Sequence, residues 1–121
     1  MVNNRKEIIE RTLDSLAPSR DKWIKKNSYF YNNDYSYMKF LVGDGKRVLE
    51  LGCGTGSLLN ALRPSYGVGV DLSSNMVSIA QKNYPNFEFI KGDLEDKDFI
   101  DSLQGPFDFI ILSDTIGYLN D

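Results

Sequence analysis

A glycine-rich loop that follows an acidic residue is the part of the sequence best suited to chemistry. Residues 48–59 begin as a short apolar run, reach Glu50, and then place Gly52, Gly54 and Gly56 at alternate positions. Glycine is needed where the backbone takes a positive φ or a ligand lies directly against it. A helix that starts just after such a loop points its N–H groups at the ligand. The pattern therefore predicts a strand, a tight loop and a helix start around a nucleotide-type cofactor.

The spacing of the glycines helps to choose between cofactors. A dinucleotide-binding loop has the pattern Gly-x-Gly-x-x-Gly, but here the sixth position from Gly52 is Ser57. The carboxylate of Glu50 would repel a pyrophosphate and attract a cationic amino group. The loop thus favours a ligand that carries an amine, and a nicotinamide-dependent oxidoreductase domain remains the alternative.

The run Glu50-Leu-Gly52-Cys-Gly54-Thr-Gly56 resembles the first motif of class I S-adenosylmethionine (SAM) dependent methyltransferases. Later runs that end at Asp71, at Gly-Asp93-Leu and at Ser-Asp114 are similar to that family's next motifs, in the same order. The resemblance implies that Glu50 binds the cofactor amine and that the glycine loop approaches its methionine part. It also implies that Asp71 binds the ribose hydroxyls and that Asp93 binds the adenine amine.

The same resemblance implies roles for neighbouring residues. Leu72 and Met76 would pack on the adenine or ribose, Leu94 on the adenine ring, and Tyr31 would contact the cofactor from an aromatic-rich N-terminal segment. Ser113 and Asp114 would border the methyl-transfer pocket. The implied cofactor is SAM, the product is S-adenosylhomocysteine, and no metal is expected.

The hydrophobic pattern predicts an α/β fold in which short apolar strands alternate with helices. Strands are expected at about 47–51, 66–71, 87–91 and 107–113, and helices at about 56–62, 74–83 and 96–103, with Ser73 or Ser74 as a helix cap. The result is a Rossmann-like three-layer sandwich with a mainly parallel sheet, and the cofactor lies at the carboxyl ends of the strands.

Helices are expected before the sheet. An amphipathic helix over residues 3–17 should end at Pro18, and two short helices should follow between residues 21 and 42, with a break at 32–34. Residues 1–45 are therefore predicted to be a cap or lid, and residues 46–121 a SAM-binding domain. Because the family's fold has seven strands, the domain is expected to be truncated after the fourth strand, whose open edge at 109–112 could self-associate.

Composition limits the remaining possibilities. The net charge of −3 argues against a nucleic-acid partner, and because the sequence has no membrane-spanning run, no membrane partner is expected either. With a single cysteine and no histidine, a cytoplasmic location is expected, and Cys53 has no histidine to activate it as a nucleophile. The basic residues Arg20, Lys22, Lys25 and Lys26 are interpreted as a solvated helix face.

The predicted function is methyl transfer from SAM to a small-molecule acceptor. Asn/Asp-Pro-Pro-Tyr, which follows the fourth strand in many nitrogen-directed methyltransferases, is replaced here by Ser113-Asp-Thr-Ile116. The sequence indicates neither the acceptor nor a catalytic base. A non-catalytic SAM-binding module is a further alternative, and the 121 residues alone are expected to be inactive because the acceptor side is missing.

Overall fold

Parallel strands and helices alternate along the chain after two N-terminal helices. The computed structural model describes residues 4–103 and 105–113. Its elements, in chain order, are α1 (Asn4–Lys26), α2 (Ser28–Val42), β1 (Arg47–Leu51), α3 (Ser57–Ala61), β2 (Tyr66–Asp71), α4 (Ser74–Asn83), β3 (Glu88–Lys91), α5 (Lys97–Ser102) and β4 (Phe109–Leu112). The predicted α/β architecture is confirmed. The limits of β1, β2 and α4 match the prediction, and α3, β3, α5 and β4 are one to three residues shorter than predicted.

The four strands form one parallel sheet in the order β3-β2-β1-β4. Leu49 in β1 pairs with Val68 in β2 on one side and with Ile110 in β4 on the other. Apolar side chains cover both faces of the sheet at β1 and β2. This burial explains why the sequences of these two strands are mostly apolar without alternation. The chain order reverses beside β1, which places the carboxyl ends of β1, β2 and β4 around one crevice.

Alternate side chains of β1 enter two different cores, which gives the fold three layers. Val48 joins a buried cluster with residues of α3 and α4, including Leu59, Val77 and Ala80. Leu49 and Leu51 belong to the opposite cluster, against which α5 packs. The period of two in strand side chains explains this division.

Pro18 does not end the first helix, contrary to the prediction. α1 runs through Pro18 to Lys26, although proline has no N–H to donate to the carbonyl of residue 14. That carbonyl instead accepts a 3.1 Å hydrogen bond from the side-chain amide of Asn75 in α4. A partner distant in sequence therefore compensates for the missing helical bond.

The predicted break at 32–34 is also wrong, because the helices are separated at Asn27 instead. α2 continues through 32–34 with those polar side chains exposed. Its inner face carries Tyr31, Tyr35, Met38 and Val42, the last of which is buried in the core. This spacing of three and four residues follows one side of a helix, and it outweighs the local preference of Asn and Asp for turns.

β4 lies at the edge of the sheet formed by the described strands, as predicted. Ile110 is 62% exposed and Leu112 is 51% exposed, whereas Ile111 is buried in the core. Of the four residues 109–112, Ile111 alone is buried, and the other three are exposed as expected. Self-association through β4 stays a prediction.

Candidate functional site

The glycine loop joins the carboxyl end of β1 to α3. The N–H of Gly52 donates to the carbonyl of Val70 in β2 at 2.7 Å, so the loop begins as an extension of the sheet. Gly56 takes φ +88°, and a Cβ at that position would lie 2.8 Å from Cζ of Phe89. Only glycine fits there without displacement of the Phe89 ring. The loop is consequently held tightly between the sheet and α4.

Glu50 and Ser113 come together at the ends of β1 and β4. Glu50 is 1% exposed, and its Oε2 accepts a 2.5 Å hydrogen bond from the Ser113 hydroxyl. The N–H of Ser113 donates to Leu51 and so continues the ladder between the strands. A buried carboxylate requires specific partners, and this one borders an open cavity. Asp114, predicted beside it, lies outside the described residues.

Asp71 connects the end of β2 to the glycine loop. Its Oδ2 accepts a 2.9 Å hydrogen bond from the N–H of Gly54, and its Oδ1 accepts one of 3.0 Å from the N–H of Ser73. Ser73 in turn caps α4, because its hydroxyl accepts from the N–H of Met76. Asp71 therefore joins the end of β2, the glycine loop and the start of α4.

Two cavities lie against the glycine loop and share Gly52, Arg20 and Tyr31 in their walls. The cavity beside Asp71 measures about 500 Å³ and is also lined by Gly54, Met76 and the α1 residues Leu13, Leu16, Ser19 and Trp23. We call it the Asp71 cavity. The cavity beside Glu50 measures about 320 Å³, and its wall includes Tyr35, Tyr37, Met38, Leu112 and Ser113. We call it the Glu50 cavity.

Arg20 is a site residue that the sequence analysis placed on a solvated face, which is wrong. Among the described residues that line the two cavities, it is the one cationic side chain. Its guanidinium carbon lies 5.6 Å from the centre of the Tyr31 ring, within cation–π distance. Lys22, Lys25 and Lys26 are exposed, as expected. Residues 13, 17, 20 and 24 are three or four apart, so Arg20 lies on the same side of α1 as Leu13, Ala17 and Ile24. This spacing, which the three lysines do not share, is the signal in the sequence that could have identified Arg20.

α1 crosses the carboxyl ends of the strands and is fastened there by polar side chains. Asp14 accepts a 2.5 Å hydrogen bond from the Ser73 hydroxyl, and Asp21 accepts one of 2.5 Å from the Thr55 hydroxyl in the glycine loop. Glu10 forms an ion pair with Lys91 at the end of β3. The helix therefore contacts the loops that follow β1 and β2 and the last residue of β3.

Asp93 is fastened to α1 in the same way. Its carboxylate lies 2.8 Å from Nζ of Lys6 and accepts the N–H of Glu95. Partial burial raises the pKa of Asp93, but the hydrogen bonds from Lys6 and Glu95 and the charge of Lys6 outweigh it, so the pKa lies below its ordinary value. Asp93 is not among the residues that line the two cavities.

The remaining predicted contacts divide between the cavities and the cores. Met76 and Tyr31 line the Asp71 cavity. Leu94 packs against the core cluster that faces α5, and Leu72 is half-buried just after β2. Of the predicted cofactor contacts, the structure thus brings Glu50, Gly52, Gly54, Asp71, Met76, Ser113 and Tyr31 to the two cavities.

The pKa values of Tyr35 and Cys53 lie above the ordinary values for these groups. Burial raises the pKa of the Cys53 thiol well above its usual value, and the nearby carboxylates of Glu50 and Asp71 raise it further. Burial also raises the pKa of Tyr35, against a hydrogen bond with Ser57 that lowers it. Both groups are therefore protonated at neutral pH. No group of three or more metal-ligating side chains occurs among the residues that were described.

A family model described as "Methyltransferase domain" matches residues 5–121. The chain belongs to this methyltransferase family. The family model and the order of the strands agree with the resemblance to class I SAM-dependent methyltransferases that the motifs carry. They favour that assignment over a nicotinamide-dependent oxidoreductase.

Individual relatives are similar over parts of this methyltransferase chain. An uncharacterized protein of Methanocaldococcus jannaschii is 31% identical over 105 residues, which are 87% of this chain and 47% of that protein. A fatty-acid O-methyltransferase of Mycolicibacterium smegmatis is 39% identical over 64 residues, covering 48% of this chain and 23% of that enzyme.

A solved structure shows the same fold. Magnesium protoporphyrin IX methyltransferase from Synechocystis with bound SAM superimposes with a TM-score of 0.69 at 20% identity, covering 98% of this chain and 66% of that one. The chain spans less than half the length of either curated relative named above. No helix among the described residues is long and apolar enough to cross a membrane.

Proposed function

We propose that this chain binds S-adenosylmethionine across its two cavities and takes part in methyl transfer to a small, largely apolar acceptor. The observation that carries the proposal is the placement of Glu50 and Arg20 in the wall of one cavity, together with Gly52 of the glycine loop. The amino-acid end of SAM carries one ammonium and one carboxylate. A buried carboxylate and an arginine suit these two groups, since charge-assisted hydrogen bonds are the strong ones.

The nucleoside end fits the Asp71 cavity. Asp71 lines this cavity and would accept the ribose hydroxyls, and Met76 would supply an apolar wall. Asp93 lies farther along the sheet, at the end of β3, where we propose that it binds the adenine amine. Leu72 and Leu94 would pack near the base.

SAM, when bound, supplies an electrophilic methyl group, so the protein need not activate the methyl donor. The residues of this chain would hold the reactants in line and exclude water. Met38 and Leu112 give the Glu50 cavity an apolar part of its wall, beside polar residues such as Asp34 and Ser57, and this apolar part suits an apolar acceptor. Protonated Tyr35 can donate a hydrogen bond there but cannot serve as a base at neutral pH. The fatty-acid O-methyltransferase among the relatives supports an acceptor of this class.

Residues 1–45 would act as a lid over residues 46–121. The support is the path of α1, which crosses the Asp71 cavity and is fastened at Ser73 and Thr55 by Asp14 and Asp21. Leu13, Leu16 and Trp23 form one wall of that cavity. A cofactor in this cavity would lie against α1, and we propose that movement of the lid sets the rate of cofactor exchange.

Comparison of two ligands tests the proposed orientation. S-adenosylhomocysteine has the amino-acid end, whereas 5′-methylthioadenosine shares only the nucleoside and sulfur. Glu50→Gln and Arg20→Met should each weaken binding of the first by about tenfold or more and leave the second almost unchanged, because one charged hydrogen bond is lost. Equal losses for both ligands in calorimetric titrations would mean that these residues hold the loop and do not recognise the amino acid.

A further inference from the structure

The side of α1 that faces the Asp71 cavity carries a tryptophan. Leu13, Leu16, Arg20 and Trp23 all line that cavity, and their spacing of three or four residues follows one side of a helix. Trp23 is 54% exposed, and it is not among the residues of the two core clusters. A large apolar ring that borders an open cavity is stabilised when a ligand covers it. Trp23 is therefore a candidate ligand contact.

Polar contacts fix the position of α1 along the crevice. Asp14 accepts a hydrogen bond from the Ser73 hydroxyl, just after β2, and Asp21 accepts one from the Thr55 hydroxyl, in the glycine loop after β1. The helix thus advances from the end of β2 towards the glycine loop. Trp23 follows Asp21 by two residues, which is about 3 Å along the helix axis. Its ring consequently lines the cavity at the end nearer the glycine loop.

In the proposed binding mode, this end of the cavity receives the sulfur of the cofactor. Glu50 would hold the amine and Asp71 the ribose, so the sulfur lies between these two groups and beside the glycine loop. In SAM that sulfur is a sulfonium, which is positively charged but has no N–H or O–H group to donate. The face of an aromatic ring attracts such a cation, and tryptophan attracts it more strongly than tyrosine or phenylalanine does.

The other aromatic ring in this cavity wall already has a cation beside it. The guanidinium carbon of Arg20 lies 5.6 Å from the centre of the Tyr31 ring. Trp23 forms no ring pair and no cation–π contact within the part of the chain that the structure describes. The position of Trp23 in the wall and the absence of such a partner leave its ring suited to a cationic ligand.

We infer that Trp23 binds the sulfonium of SAM and thereby makes the chain prefer SAM to S-adenosylhomocysteine, whose sulfur is a neutral thioether. The inference rests on the proposed function, because it requires SAM in the Asp71 cavity. It adds a residue that distinguishes the cofactor from the product, since the amino-acid end, the ribose and the adenine are the same in both. Weaker binding of the product favours its replacement by SAM.

Fluorescence tests the contact without any substitution, because Trp23 is the single tryptophan of the chain. Addition of SAM should change the intensity and wavelength of its emission, with the half-maximal change at the Kd that calorimetric titration gives. If calorimetry shows that SAM binds while the emission stays constant, the proposed function stands and the inference is wrong. If neither method detects binding of SAM, the proposed function fails and the inference fails with it.

Substitution separates the effect of charge from simple apolar contact. Trp23→Leu should weaken binding of SAM about fivefold to tenfold more than binding of S-adenosylhomocysteine, because only SAM loses a cation–π contact. Trp23→Phe keeps a weaker ring and should lie between Trp23→Leu and the original protein. The control Phe40→Leu removes a ring that is 84% exposed and lines neither of these cavities, so both affinities should stay unchanged. Equal losses for the two ligands in Trp23→Leu would overturn the inference.

Discussion

Asp71 at the end of β2 holds the N–H of Gly54 in the glycine loop, with 2.9 Å between the carboxylate oxygen and the nitrogen. This hydrogen bond connects the end of β2 to the loop after β1. Both residues line the Asp71 cavity. One carboxylate therefore shapes the loop at the mouth of the cavity in which we propose that the cofactor binds. Substitution of Asp71 should therefore weaken cofactor binding more than substitution of a residue that only caps a helix.

Asp71→Ala should weaken SAM binding by about tenfold to a hundredfold, since a charged acceptor of hydrogen bonds is lost from a mostly buried site. Calorimetric titration measures the change. Asp101→Ala, on the exposed side of α5, is the control and should bind like the original protein. Unchanged affinity in Asp71→Ala would restrict Asp71 to its structural contacts with Gly54 and Ser73.

Gly56→Ala should destabilise the fold more than Gly45→Ala. Both positions have positive φ, but a Cβ at Gly45 meets nothing within 4 Å, whereas one at Gly56 lies 2.8 Å from the Phe89 ring. The left-handed conformation costs about 1–2 kcal/mol in each case, and overpacking adds about 1–3 kcal/mol at Gly56 alone. Thermal unfolding compares the two variants. Equal losses would show that Phe89 moves aside freely.

The sequence predicted the regions that depend on local pattern. Residues 66–71 and 74–83 were placed correctly because each combines a clear period with a strong boundary, Ser73 in the case of α4. The path of α1 through Pro18 was not predictable, because the compensating bond to Asp14 comes from Asn75, 61 residues away. The position of Arg20 in both cavity walls depends on that same path.

Asp14→Ala should loosen the lid. The variant loses the acceptor for the Ser73 hydroxyl and for the N–H of Asn75, while the helix itself keeps its own bonds. Amide hydrogens of α1 should exchange faster, and SAM should dissociate faster in stopped-flow measurements. Glu7→Ala, at an exposed position on the same helix, should leave both rates unchanged. A normal dissociation rate in Asp14→Ala would argue against the lid.

The ion pair between Lys6 and Asp93 should make the free energy of unfolding depend on pH in the acidic range. The folded-state pKa of Asp93 is lowered from 3.8, so its contribution is complete above that ordinary value. The contribution is lost as pH falls through the lowered pKa. Urea unfolding should therefore show the original protein more stable than Asp93→Asn at neutral pH, with the difference vanishing in acid. When Lys6→Met is present in both proteins, the Asp93→Asn substitution should change the free energy of unfolding far less at neutral pH. An equally large change with and without Lys6 would contradict the ion pair between Lys6 and Asp93.

The most direct test of the cofactor assignment is titration of the chain with SAM, S-adenosylhomocysteine and NAD under identical conditions. The glycine spacing and the buried carboxylate of Glu50 predict that the first two bind and that NAD does not. Binding of NAD in preference to SAM would contradict the assignment of this site.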